Sequence, residues 1–298
     1  MATFTNQATL SYNNTVTTSN VVTGEIVEVL SATKTALTDT YRTGDTVTYV
    51  VSIVNSGSVS YSDLTLIDDL GEYPFGTGTR VPLTYVADSL HYFLDGVLQP
   101  TPVVIAGPPL TVTGIDVPAT GNTLVIYQAR VNEFAPADTN GSITNNVRIT
   151  NDDVTVGDAE RGRDRCDPTI NITASTTIFS EDSVLLSITK SISPSTVPEN
   201  GRITYTFVIQ NTGNTPAVAT DNVMVTDDFD PVLDNIVVTL DGVTLTEPAQ
   251  YTYNEATGLF QTVAGVITVP AATYTQNPVT GVWVVNPGTT TLTVTGNV

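Results

Sequence analysis

The chain has 298 residues, and 40% of them are hydrophobic, which is enough for two ordinary domains with apolar cores. It carries 30 acidic against 10 basic residues, and the net charge of −20 repels polyanions, so nucleic acid and anionic membranes are not expected as partners. No apolar run approaches the roughly 20 residues that span a bilayer, and we expect no membrane insertion.

The first predicted element is a strand at the N-terminus, within residues 1–13. Side chains there alternate between apolar and polar types, as in a half-buried strand, and Asn6 falls on the apolar phase. The other residues of that phase are Phe4, Ala8, Leu10 and Tyr12. Residues 14–28 are polar and lack a strong period, so we expect a flexible tether there.

Two copies of one domain follow the tether. Lys34 and Lys190 end near-identical six-residue runs 156 positions apart, and the same offset carries Tyr49 onto Tyr205. The copies are predicted over residues 29–155 and 185–298, with a polar linker over residues 156–184. Runs rich in Val, Ile, Thr and Tyr recur between Gly, Pro, Asn and Asp in both copies, which predicts an all-β chain of two tandem β-sandwiches.

The two copies differ at their ends. The first contains a strand in which Ile143, Val147 and Ile149 alternate with polar residues, whereas the second, aligned through Thr123 with Thr291, has no such strand. The nearest match to residues 143–149 is residues 4–10 at the N-terminus. We therefore predict that the second sandwich lacks its last strand and that residues 1–13 are a donor strand that completes another copy.

Both lysines of the chain occupy the same repeat position and are in phase with apolar neighbours, so we expect them to point inward. Asp68 and Asp227 fall on the core phase of a later strand in each copy. Asn145 falls on the core phase of the last strand of the first copy, and Asn6 on the apolar phase of the N-terminal strand. Lys, Asp and Asn inside one sandwich are the groups that a spontaneous isopeptide bond requires, because burial favours a neutral amine and a protonated acid. The candidates are Lys34 with Asp68 and Asn145, and Lys190 with Asp227 and Asn6 of the next subunit. The alternative is a plain buried Lys–Asp pair.

No catalytic constellation is present in the sequence. His91 is the only histidine and Cys166 the only cysteine, so neither a zinc cluster nor a Ser–His triad can be assembled. We expect no enzyme activity, no cofactor and no metal.

Three segments of the first copy, Gly44–Gly57, Leu64–Asp69 and Asn145–Thr150, resemble a known repeat. It is the conserved repeat domain of bacterial and archaeal surface proteins called domain of unknown function eleven. Both copies are similar to it, although the second has Glu199-Asn-Gly where Gly-Asp is expected. The resemblance implies an immunoglobulin-like β-sandwich in a cell-envelope or spore-surface structure, and no enzyme.

Together these patterns predict a structural subunit of an extracellular or spore-surface filament, whose partners are other copies of itself. The alternatives are a monomeric surface adhesin or ligand-binding module, and a fragment of a longer repeat array. The first residues have neither the basic region nor the apolar segment of a signal peptide, so we expect synthesis in a cytoplasm and deposition on a surface from there.

Overall fold

The computed structural model describes residues 2–26, 29–151 and 170–298. This part of the chain is all-β: an N-terminal hairpin precedes two tandem immunoglobulin-like β-sandwiches. Its helical content is one short 3₁₀ helix, Ala219–Asp221. The fold class predicted from the sequence is confirmed.

The N-terminal hairpin contains β1 (Ala2–Asn6), β2 (Thr9–Tyr12), β3 (Thr15–Thr18) and β4 (Val22–Ile26). β2 pairs with β3 across Asn13 and Asn14, whose φ angles of 44° and 60° suit a two-residue hairpin turn. β1 pairs with β4 at the end of the hairpin away from this turn. The first arm of the hairpin is β1 and β2, and the second arm is β3 and β4. Neither arm pairs with a described strand of either sandwich. The predicted tether over residues 14–28 is thereby corrected: Thr and Val form strands readily, and the Asn-Asn turn returns them along the first arm.

Fourteen strands follow within residues 29–151 and 170–180. They are β5 (Leu30–Ala36), β6 (Thr40–Tyr41), β7 (Thr46–Asn55), β8 (Tyr61–Asp68), β9 (Tyr73–Phe75), β10 (Gly78–Arg80), β11 (Leu83–Tyr85), β12 (His91–Leu94), β13 (Val97–Gln99), β14 (Val103–Ile105), β15 (Leu110–Val117), β16 (Asn122–Val131), β17 (Ser142–Thr150) and β18 (Asn171–Ser180). One sheet of the first sandwich has the order β13-β12-β16-β7-β5, with β11 also beside β16; the facing sheet has the order β14-β15-β8-β17-β18-β6. Alternate residues of β7 and β16 are buried between the sheets, as a sandwich requires.

β18 lies inside the segment predicted as a polar linker, residues 156–184. It pairs with β17 along its whole length, and its alternating Ile172, Ala174 and Ile178 turn toward the core. The first sandwich therefore extends to Ser180, beyond the predicted boundary at residue 155. Because every second residue of β18 is polar, its sequence predicts a linker where the structure has a strand. The first half of that linker, residues 156–169 with Cys166, lies outside the described residues.

The second sandwich has ten strands among the described residues. They are β19 (Leu186–Ser193), β20 (Arg202–Asn211), β21 (Thr226–Asp228), β22 (Asp234–Leu240), β23 (Val243–Thr244), β24 (Tyr251–Tyr253), β25 (Leu259–Thr262), β26 (Thr273–Gln276), β27 (Trp283–Asn286) and β28 (Gly288–Asn297). One sheet has the order β19-β20-β28-β22-β23, and the facing sheet has the order β21-β25-β24. The facing sheet stops at β21, at the place where the first sandwich continues with β17, β18 and β6.

Strand register corrects the sequence alignment of the two copies by one residue. Thr123 pairs with Ile53, and Thr290 pairs with Ile209, which is the repeat counterpart of Ile53. Thr290, and not Thr291, is therefore the counterpart of Thr123. Three consecutive threonines made the two alignments indistinguishable in the sequence. The same register places Val294 where the first copy has Tyr127.

Hydrogen bonds join the two sandwiches through the β26–β27 hairpin. Gln276 Nε2 donates to the Tyr73 hydroxyl at 2.7 Å, and Arg80 Nε donates to the Thr280 carbonyl oxygen at 2.8 Å. These bonds restrict the motion of one sandwich relative to the other.

Candidate functional site

Lys34 and Asp68 form an ion pair inside the first sandwich. Lys34 lies in the middle of β5 and Asp68 at the end of β8 in the facing sheet, and both lie on the inward phase of their strands. Lys34 Nζ is 2.6 Å from Asp68 Oδ2, and both side chains are fully buried. The other carboxylate oxygen, Oδ1, accepts a hydrogen bond from the Leu70 backbone at 3.0 Å.

Asn145 joins this pair through a tyrosine. The Tyr127 hydroxyl donates to Asp68 Oδ2 and accepts a hydrogen bond from Asn145 Nδ2 at 3.2 Å. Asn145 Oδ1 is buried and accepts no hydrogen bond among the described residues. Lys34, Asp68 and Asn145, selected from the sequence, thus belong to one buried cluster, and β17 supplies the asparagine.

Two tyrosines complete the cluster, and the sequence reasoning missed both of them. Tyr49 and Tyr127 stack with ring centroids 5.5 Å apart, and Lys34 Nζ lies 5.2 Å from the Tyr49 centroid. Both alternate with buried Val residues on paired strands, so inward phase was the available signal.

Burial dominates the electrostatics of this cluster. It lowers the pKa of Lys34 below the usual 10.5, although the neighbouring Asp68 acts in the opposite direction. It raises the pKa of Tyr127, and that of Tyr49, well above their usual values, and the nearby Asp68 adds to the effect. The two tyrosine hydroxyls are therefore neutral at physiological pH, and Lys34 loses its proton more readily than a lysine in water does.

The equivalent cluster of the second sandwich is open to solvent. Lys190 Nζ is 2.5 Å from Asp227 Oδ2, but the two side chains are 41% and 17% exposed. Lys190 also lies 4.5 Å from the ring centroid of Tyr205, the repeat counterpart of Tyr49. No asparagine from the described residues joins this pair in the way that Asn145 joins the first, and Asn6 of the same chain lies exposed in the N-terminal hairpin.

An apolar face accompanies the open cluster. Every residue of β19 is exposed, with Leu186 at 39%, Ile188 at 53% and Ile192 at 43%. Their counterparts in β5 are half-buried and pack against the first core, where β18 lies against β5. The outer edge of β21 pairs with no described strand. The second sandwich thus combines an unpaired strand edge with an exposed apolar surface.

The predicted donor residues lie in the hairpin. Phe4 in β1 pairs with Gly24, and Asn6 pairs with Val22. Ala8, Leu10 and Tyr12 follow, and Leu10 and Tyr12 are 61% and 57% exposed. Apolar side chains are therefore displayed on this hairpin without a partner surface in the described part of the chain.

Across the described residues, no three His, Cys, Asp or Glu side chains are grouped closely enough to hold a metal ion. Nor does any helix in residues 2–26, 29–151 and 170–298 have the length and apolar character to cross a membrane.

No protein family profile matches the chain, and no curated protein sequence matches it. Among solved structures, the major pilin SpaD from Corynebacterium diphtheriae is similar at 10% identity and a TM-score of 0.36, over 87% of this chain and 59% of that one. The major pilin subunit BcpA of Bacillus cereus is similar at 11% identity and a TM-score of 0.37, over 96% and 73%. The collagen-binding subdomain of the Enterococcus faecalis surface protein ACE is similar at 11% identity and a TM-score of 0.28, over 51% and 98%. These likenesses concern the fold alone.

Proposed function

We propose that this chain is a structural subunit of an extracellular or spore-surface filament. Subunits join head to tail when the N-terminal strand of one copy completes the second sandwich of the next. The role is structural and not enzymatic, and the partner is another copy of the chain. We also assign the two sandwiches to the surface-protein repeat domain that their sequence motifs resemble.

The observation that carries this proposal is the contrast between the two lysine clusters. The Lys34 side chain is fully buried beneath strands β17 and β18, whereas the Lys190 side chain is 41% exposed beside an unpaired β21 edge. An exposed strand edge with an apolar groove is a template for strand addition. Because donor and acceptor lie on different parts of the chain, such a contact is heterologous and generates an open polymer.

The first sandwich supplies the register for this contact. Val147 of β17 pairs with Asp68, and Asn145 lies two residues earlier on the same face. Residues 4–10 align with residues 143–149, so Ala8 of the donor would pair with Asp227 of the acceptor. Asn6 would then face the Lys190 cluster, as Asn145 faces that of Lys34.

We further propose that each completed cluster forms a Lys–Asn isopeptide bond. The neutral amine of Lys34 attacks Cγ of Asn145, so a C–N bond forms while the bond to the amide nitrogen breaks. Asp68 relays the proton that the attacking nitrogen loses to the amide nitrogen that leaves. One ammonia leaves, and no external reagent is needed. The same reaction between Lys190 and Asn6 of the next subunit would make the filament covalent.

Assembly is tested with full-length chains by negative-stain microscopy and sedimentation. The unaltered chain should form filaments, Leu10→Asp should remain monomeric, and Thr9→Asp should still assemble. Leu10 aligns with the buried Ile149, whereas Thr9 aligns with Arg148, where the first sandwich already accommodates a charge. Monomers from the unaltered chain over a wide concentration range would refute the filament and favour the adhesin.

The isopeptide bonds are tested by intact mass. The unaltered monomer should be lighter than its sequence mass by one ammonia, and Asp68→Asn should restore the full mass because the proton donor is lost. Filaments should give ladders in denaturing gels that Lys190→Arg abolishes. A full-mass monomer in the unaltered chain would leave a plain Lys34–Asp68 pair.

A further inference from the structure

We propose that the donor is the whole N-terminal hairpin, residues 2–26, and not a single strand. Its two arms take the places of β17 and β18 in the second sandwich of another copy. This inference rests on the proposed filament function and specifies what one subunit inserts into the next.

The open place in the second sandwich is more than one strand wide. In the first sandwich, β17 pairs with β8, and β18 pairs with β17 and runs parallel to β6. In the second sandwich, no described strand pairs with the outer edge of β21, the counterpart of β8. A single added strand would take the place of β17 and leave the place of β18 empty. The exposed apolar residues of β19 are those whose counterparts lie against β18.

The second arm of the hairpin matches β18 in sequence. Residues 15–22 align with residues 171–178 at the offset of 156 that relates the two lysines. Thr17 and Ser19 recur as Thr173 and Ser175, and Val22 corresponds to Ile178. Because the offset is shared, the second arm precedes Lys34 by the same distance as β18 precedes Lys190. The junction between two subunits would then repeat the junction between the two sandwiches of one chain.

Burial indicates which residues of the second arm face the acceptor. Ile178 is 1% exposed in the first sandwich, while its counterpart Val22 is 56% exposed in the free hairpin. The neighbouring Val21 is 55% exposed and corresponds to Thr177, which is exposed in the sandwich as well. Val22 pairs directly with Asn6, so both lie on the same face of the hairpin.

The pairing of β1 with β4 already turns the same residues to one face as the repeat alignment requires. By the repeat alignment, Asn6 should oppose Asn20, because Asn145 opposes Thr176 in the first sandwich. The observed partner is Val22, a difference of two residues, which preserves the faces of both strands. Between β2 and β3 the difference is one residue: Leu10 pairs with Thr17, whereas the repeat alignment pairs it with Val16. The pairing of these two strands must therefore shift by one residue to place Val16 on the face of Leu10.

The charge of the hairpin also fits a second copy of this chain. Residues 2–26 contain one ionisable acid, Glu25, and no Lys, Arg or His, although the whole chain carries a net charge of −20. Insertion therefore adds little repulsion between two acidic subunits.

The test compares two full-length variants that place the same charge on adjacent residues, Val22→Asp and Val21→Asp. If both arms insert, Val22→Asp buries an unpaired carboxylate and should raise the critical concentration for assembly at least ~100-fold. Val21→Asp should change it by less than about threefold, because that side chain stays at the surface. Both residues are exposed in the monomer, so the unfolding of the sandwiches should be unchanged in both variants.

Each outcome is decisive when the unaltered chain and Leu10→Asp are run beside these variants. Filaments from Val22→Asp at the normal concentration, with none from Leu10→Asp, would show that one strand is donated, and would overturn the inference while the filament stands. Equal loss in Val21→Asp and Val22→Asp would overturn the assigned face. Monomers from the unaltered chain would refute the filament itself, and this inference with it.

Discussion

Replacing Lys34 with methionine should destabilise the first sandwich far more than the same change at Lys190 destabilises the second. Methionine retains a flexible chain but removes the amine. Lys34 Nζ lies 2.6 Å from Asp68, and both side chains are fully buried, so the substitution leaves a carboxylate in the core without its cation. Removing one partner of a buried pair costs about 3–5 kcal/mol.

Where the Lys34–Asn145 bond has formed, Lys34→Met lowers the stability of the first sandwich for a different reason but by a similar amount. The bond spans 111 positions of the chain, and a cross-link closing about 100 residues restricts the unfolded state by about 4.7 kcal/mol in the chain-entropy description. Both routes predict a loss of roughly 3–5 kcal/mol. Lys190→Met in the monomer should cost less than about 1 kcal/mol, because that pair is partly solvated.

The assay is urea unfolding of the monomeric variants, with hydrogen exchange of β5 and β7 to assign the first sandwich and of β19 and β20 to assign the second. Hydrogen-exchange protection of β5 and β7 should be lost at a lower urea concentration in Lys34→Met only. Equal shifts for the two substitutions would refute it, because the structural difference between the two pairs would then have no energetic consequence.

Two further predictions concern the first sandwich. Burial raises the pKa of Tyr49 and Tyr127, so the stability that their neutral forms contribute is fully present below pH 10 and is lost as the pH rises above it. Unfolding in alkali should therefore coincide with the appearance of tyrosinate absorbance. Ionisation of these tyrosines without unfolding would contradict their burial. Gly71→Ala should destabilise the sandwich by about 2–3 kcal/mol, because φ is +76° and the new Cβ would lie 2.5 Å from Ile143 Cγ2. Gly76→Ala, with φ of +59° and open space around it, should cost about 1 kcal/mol. Thermal melts of the two variants measure the difference, and equal costs would show that contact with Ile143 is unimportant.

The periodic signals of the sequence predict the all-β class and three members of the buried cluster. Alternation of apolar and polar residues places Lys34, Asp68 and Asn145 on inward phases, and the 156-residue offset relates the two lysines. A period of two specifies the face of a strand, because successive side chains point to opposite sides. It does not specify which strand lies opposite. Tyr127 was therefore missed, although its own phase is regular.

Polar alternation conceals three strands, β18 and the two strands of the hairpin's second arm, β3 and β4. Both segments are rich in threonine, and this composition also fits a linker or tether. Threonine forms strands readily, but a strand that buries one face beneath a neighbouring sheet has few large apolar residues to mark it. Their match to each other at the repeat offset is the sequence signal for these strands, and it becomes evident only when β18 is seen as part of the first sandwich.

The sequence by itself determined the all-β class, the duplicated sandwich and the inward face of each lysine, because these depend on local periodicity and on the repeat. The tertiary structure decided how many strands the second sandwich lacks and which alignment of the threonine run is real. It also decided that one lysine is enclosed while the other is open. These properties depend on pairing between segments far apart in the chain, and pairing leaves little trace in the local pattern of either segment.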